Sequence, residues 1–137
     1  MRLRQLGMKG EKMIVSNEIQ HAAQKLGQDL HNTPEVNAYL KAAQAVQENA
    51  EAVALEDKFL ALYQQLVVRE RSGQVLDQNE LAEYYQLREQ VRSHPLLAAR
   101  DEQLQLVKLL FSDVGQVLTT ILGVDFSALA LLGENPG

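Results

Sequence analysis

The chain has 137 residues, 46% of them hydrophobic and 23% charged, with 3 Pro, no Cys, no Trp and a net charge of −5. Without cysteine these residues form no disulfide, no Cys-ligated zinc site, no thiolate-held iron–sulfur cluster and no cysteine nucleophile. A chain of this length is one domain by default and buries roughly 70% of its unfolded surface. Its acidic balance argues against tight phosphate-driven binding of nucleic acid, which needs a cationic surface.

Residues 1–12 differ from the rest, carrying Arg2, Arg4, Lys9 and Lys12 against Glu11, with Gly7 and Gly10 among them. That composition predicts a disordered leader or tail. A basic arm for nucleic acid is the rival reading, on a small footprint of cations with no aromatic platform. Lys9-Gly10-Glu11 is also encodable as AAA-GGA-GAA, a purine-rich ribosome-binding sequence just ahead of Met13, so translation is expected to begin at Met13. Removing four cations and one acid then leaves 9 Lys+Arg against 17 Asp+Glu, a net charge of −8. The same stretch lacks the continuous apolar run of a signal peptide. No segment is expected to be apolar for long enough to cross a bilayer, since the best stretch, Leu104 to Phe111, is interrupted by Gln105 and Lys108. The expected location is the cytoplasm.

From Ser16 onward the pattern is helical, with stop and start signals between the helices. Ser16 or Asn17 caps a first helix whose apolar stripe is Ile19, Ala22, Ala23, Leu26 and Leu30, ending near Asn32. Thr33-Pro34-Glu35 opens a second, with proline at the first position and an acid in the first turn. Its stripe runs through Val36, Tyr39, Leu40, Ala43 and Val46, meets an interruption or bend at Glu48-Asn49-Ala50, and continues through Leu55, Phe59, Leu62 and Leu66 to Ser72-Gly73. Gly73 suits a left-handed C-cap, and Asp77 with Glu80 makes a capping-box-like start for a third helix through Leu81, Tyr84, Leu87 and Val91. Ser93-His94-Pro95 ends that helix and opens a long fourth.

The fourth helix is the most apolar. Leu97, Leu104, Phe111 and Leu118 recur every seven residues, as do Val107, Val114 and Ile121, giving a coiled-coil-like heptad seam whose one charged exception is Arg100. Gly123 stops it, and Asp125 caps a short last helix with Phe126, Leu129, Ala130 and Leu132 on its apolar face. The expected architecture is all-α: an elongated antiparallel helical hairpin or bundle of four to five helices without a sheet. One helical domain is expected over 13–132, followed by a frayed end at 133–137.

Catalytic chemistry has little support. Glu18 and His21 share one helix face at the spacing used in di-iron carboxylate bundles, but His31 and His94 follow Gln28 and Val91 at that spacing, so no second ligand pair exists. The serines stand mostly at helix ends, with no nucleophile elbow around them, and no Gly-rich loop follows a strand. The expectation is a non-enzyme without metal or cofactor. Arg69, Arg71, Arg88, Arg92 and Arg100 are the one basic concentration in the body of the chain. They read either as an RNA-docking cluster near the hairpin tip or, more plainly, as cations in the last turns of helices, where they complement the helix dipole. The apolar excess is the better functional lead, because a thin helical hairpin has little interior and completes its core with another chain. Leu104, Val107, Phe111, Val114, Leu118 and Ile121 form the candidate interface, which intramolecular packing would equally explain.

The order of landmarks is distinctive. Leu26-Gly27 near the end of the first helix, Thr33-Pro34-Glu35 with Tyr39, Pro95 opening a long helix, and Leu122-Gly123-Val124-Asp125-Phe126 near the end resemble the YlbF/YmcA-like family of bacterial cell-fate and competence regulators over about residues 13–132. The resemblance implies a small cytoplasmic all-helical protein of Gram-positive bacteria, with no catalytic residues, that acts by association. It implies homo-oligomers or hetero-oligomers with family paralogues and a role in competence, sporulation and biofilm formation. The target it implies is RNA processing by a membrane-anchored ribonuclease or, in another view, a phosphorelay. Some members carry a cysteine-bearing tail connected with iron–sulfur binding; these residues hold no cysteine.

Overall fold

The computed structural model describes residues 14–133. The expectations for residues 1–12 and for Glu134 to Gly137 lie outside the described residues. The described residues fall into two compact units, one reaching Thr33 and the other beginning at Pro34.

The first unit holds α1 (Asn17–His31), capped by the Ser16 hydroxyl, which accepts from the Ile19 N–H at 3.2 Å. None of its side chains is buried. Lys25 pairs with Asp29 one turn on at 3.0 Å, an exposed pair that contributes little.

The second unit holds α2 (Pro34–Gln47), α3 (Ala50–Arg71), α4 (Gln78–Ser93), α5 (Pro95–Leu122) and α6 (Phe126–Gly133). Six helices result among the described residues, because the interruption at Glu48–Asn49 is a complete break. Asn49 is extended and its Oδ1 accepts from the Ala52 N–H at 2.8 Å, so it caps α3 and separates α2 from it. α3 ends in a Schellman motif: Gly73 takes a φ of 83°, the Gln74 N–H reaches the Arg69 carbonyl and the Gly73 N–H that of Glu70. Asp77 caps α4 through the Asn79 N–H at 3.0 Å. Glu80 does not complete a capping box; its carboxylate pairs with Arg69 across the turn, which raises the Arg69 pKa first through that hydrogen bond. The other carboxylate oxygen, Oε1, is buried without a hydrogen-bond partner.

His94 serves two helices at once. Its N–H closes α4 on the Gln90 carbonyl, and its Nδ1 accepts from the Leu96 N–H at 3.2 Å to cap α5. Pro95 follows at the first helical position. α3 and α4 pair as one hairpin, and α2 lies along α5. Val46, Ala52 and Leu97 form one buried cluster where the breaks meet, supported by Val53, Leu55, Val91 and Leu96. Leu62, Leu66 and Leu87 form a second between α3 and α4, with Phe59, Leu76 and Leu81 against it. Arg100, the charged exception in the heptad seam, pairs with Glu56 of α3, so the seam closes over an answered charge.

Candidate interaction surface

The length of α5 decides the surface. Its 28 residues rise about 42 Å, whereas the 14 of α2 rise about 21 Å. The end of α2 meets the start of α5 in the Val46–Leu97 cluster and the two helices pack along one another, so they run antiparallel. With equal rise per residue, Pro34 at the start of α2 stands level with about Leu109 of α5. Beyond that level α2 has no backbone to offer, and α6 packs against α5 there, with Ser127 beside Gly115.

Exposure follows this geometry. Leu97 and Val107 are 3% and 7% exposed, whereas Phe111 and Ile121 are 50% and 76% exposed. Leu104, Val114 and Leu118 are half-buried. The six candidate residues therefore divide. Leu104 and Val107 lie on the stretch that α2 reaches, Val114 and Leu118 are partly covered, and Phe111 and Ile121 stand open. Leu109, Val117, Leu122 and Val124 are also more than half exposed, and α6 adds exposed Leu129 and Leu131. Large apolar side chains left in water mark this end of the chain as a candidate interaction surface.

The basic cluster looks different. Arg69 and Arg100 are paired with Glu80 and Glu56, and the Arg88 guanidinium lies 5.0 Å from the Tyr85 ring centre and 5.9 Å from that of Tyr84. Arg71 and Arg92 are exposed. The tyrosines belong to a ring cluster of which the sequence pattern shows only part. Phe59 stacks on Tyr84 at 5.4 Å, and Tyr63 and Tyr85 extend it. The available signal is the placement of Tyr63 one helical turn after Phe59. Glu18 and His21 lie exposed on α1, and no group of three metal-ligating side chains occurs among the described residues.

By length and composition α5 does reach the range of a membrane-crossing helix, where none was expected. The expectation weighed only the stretch to Phe111, and the apolar residues from Val114 to Leu122 carry the average up. Lys108 and Asp113 near the middle of the helix oppose such a placement, at about 2.5–3.5 kcal/mol each at a bilayer centre.

A family model described as control of competence regulator ComK, YlbF/YmcA, matches residues 19–122. This chain belongs to the YlbF/YmcA family. Among its relatives, UPF0342 protein SAG1376 of Streptococcus agalactiae serotype V is 30% identical over 104 residues, 76% of this chain and 87% of the relative. UPF0342 protein LBA1592 of Lactobacillus acidophilus is 29% identical over 96 residues, 70% of this chain and 83% of the relative. The fold is similar to that in the crystal structure of Bacillus subtilis RicA in complex with RicF, with a TM-score of 0.69 at 15% identity, covering 80% of this chain and 96% of that one. It is also similar to a DUF964 protein of unknown function from Bacillus stearothermophilus, with a TM-score of 0.61 at 14% identity, covering 78% and 94%. The YlbF/YmcA match begins inside α1 and stops with the last residue of α5, so α6 and the Gly123 turn lie beyond it.

Proposed function

We propose that the protein is a non-catalytic competence regulator of the cytoplasm that works by presenting the C-terminal half of α5 to other helical proteins. The observation that carries this reading is the rise in exposure along one heptad seam, from buried Val107 to open Phe111 and Ile121, where α2 runs out. A seam of this kind is completed by a partner helix through hydrophobic burial. Its partners are family relatives or further copies, in complexes that bear on RNA processing by a ribonuclease. The solved complex of RicA with RicF, whose fold this chain shares, supports action within an assembly.

The test replaces Phe111 and Ile121 by Glu, follows helix content by circular dichroism, and measures assembly by light scattering with family relatives of the native host. Folded variants that no longer assemble support the reading. Variants that assemble like the parent remove it. RNA binding that weakens steeply with salt and disappears when Arg71 and Arg92 are neutralised would favour the RNA-binding alternative instead.

A further inference from the structure

The ring cluster on α3 and α4 holds its arginine differently from the other half-buried arginines. Arg69 and Arg100 bridge helices through Glu80 and Glu56. Arg88 is half-buried too, but it lies over the Tyr85 and Tyr84 rings and pairs with no acid among the described residues. The rings are themselves fixed. Tyr84 stacks at 5.4 Å on Phe59 and at 6.2 Å on Tyr63, with interplanar angles of 24° and 29°, and Tyr85 meets Tyr84 edge-on at 5.3 Å. Tyr63 and Tyr85, on either side of Tyr84, each keep about half of their surface in water.

A guanidinium is planar and carries its N–H donors around its edge. Rings against its face leave that edge available, hold the fork in one orientation and keep water from one side, which strengthens a charge-assisted hydrogen bond made there. We propose that Arg88, with the half-exposed rings of Tyr63 and Tyr85, is a second interaction site that takes an acidic segment of a partner protein. One aspartate or glutamate of that segment sits on the guanidinium edge, and an adjoining apolar side chain packs on the rings.

Charge selects a protein segment over a nucleic acid. The site offers a single unanswered cation. Arg92, one turn further along α4, borders a cavity whose walls also carry Glu56, Asp101 and Glu102, and Glu83 and Glu89 stand exposed on α4 itself. A nucleic acid gains affinity with each phosphate it has neutralised, and here a second phosphate meets acids. A lone carboxylate among apolar residues needs one guanidinium, and Tyr and Arg are residue types on which protein contacts concentrate their energy. The site uses no residue of the α5 seam, so mutation separates the two.

The test titrates the full chain with a helical peptide carrying one glutamate beside leucines, with its glutamine counterpart, and with single-stranded oligouridylate. Binding is read by fluorescence anisotropy and by the NMR shift of the Arg88 guanidinium N–H. The glutamate peptide should bind and move that signal, and the glutamine peptide should bind about tenfold more weakly or worse. Arg88→Ala and Tyr85→Ala should each weaken the glutamate peptide by about tenfold, with helix content by circular dichroism unchanged. Arg88→Lys should not restore it, because an ammonium neither stacks nor forks, whereas Tyr85→Phe should bind like the parent and Lys41→Ala, which removes the same charge on α2, should have no effect. If Arg88→Ala or Tyr85→Ala fails to fold, the peptide pair and Arg88→Lys decide. A glutamate peptide that leaves the Arg88 signal unmoved at millimolar concentration would overturn the proposal. So would equal binding of the two peptides, full binding by Arg88→Lys, or oligouridylate binding more tightly than the glutamate peptide.

Discussion

His94 shows how one side chain sets a junction. Because Nδ1 accepts from Leu96, that nitrogen carries no proton in the capped state, and the proton on Nε2 faces Glu51 at 3.5 Å. Replacing His94 by Ala should lower stability by about 1 kcal/mol, whereas Asn, itself a good cap, should restore most of it; urea unfolding followed by circular dichroism checks both. Arg100 is the complementary case. Glu56→Gln leaves a half-buried guanidinium without its counter-charge and should cost about 1–3 kcal/mol, while changing both residues to Leu should be close to neutral. In the sequence Arg100 is a flaw in a heptad pattern. Its partner lies 44 residues away, so only tertiary structure brings the pair together. Glu80 departs from the capping-box expectation for the same reason: the local rule offers it the Asp77 N–H, and the stronger cation across the turn takes it.

At the scale of elements, ends are more legible than faces. Ser16, Asp77, Gly73 and Gly123 act where cap chemistry places them, because caps depend on neighbours within a few residues. Gly123→Ala should destabilise the α5–α6 turn by about 1 kcal/mol, since its φ of 79° strains any residue with a Cβ; a lowered thermal midpoint with α6 more open to proteolysis is the expected readout. The heptad seam is also plain in the sequence, but what covers it is not. That depends on the difference in length between α2 and α5, which becomes meaningful only once Val46 is known to meet Leu97. Gly115 carries no sequence signal beyond being an unfavourable helix residue, and its burial beside the Ser127 hydroxyl follows from the return of α6.

For the whole molecule, charge and apolar surface pull in opposite directions. The chain is acidic, yet its most exposed apolar run is nearly free of charge. Raising the salt concentration should therefore strengthen self-association, by screening repulsion between copies while leaving apolar burial intact. Binding to a polyanion would respond with the opposite sign. Light scattering across a salt series reads this directly.

Two breaks in the second unit, at Glu48–Asn49 and at His94, fall at the same level, since Glu51, just past Asn49, faces His94, and Ala52 packs with Leu97. Each break is a single capping residue or little more, with no slack. An inserted residue at Asn49 or His94 would turn everything beyond it by about 100° and carry the following apolar stripe off its partner. An insertion at Gln74 or Val75, in the exposed loop between α3 and α4, only lengthens the loop. Tags and reporters are thus tolerated at the tip, where six residues separate α3 from α4, and rejected at the elbow, where only one or two residues separate the helices.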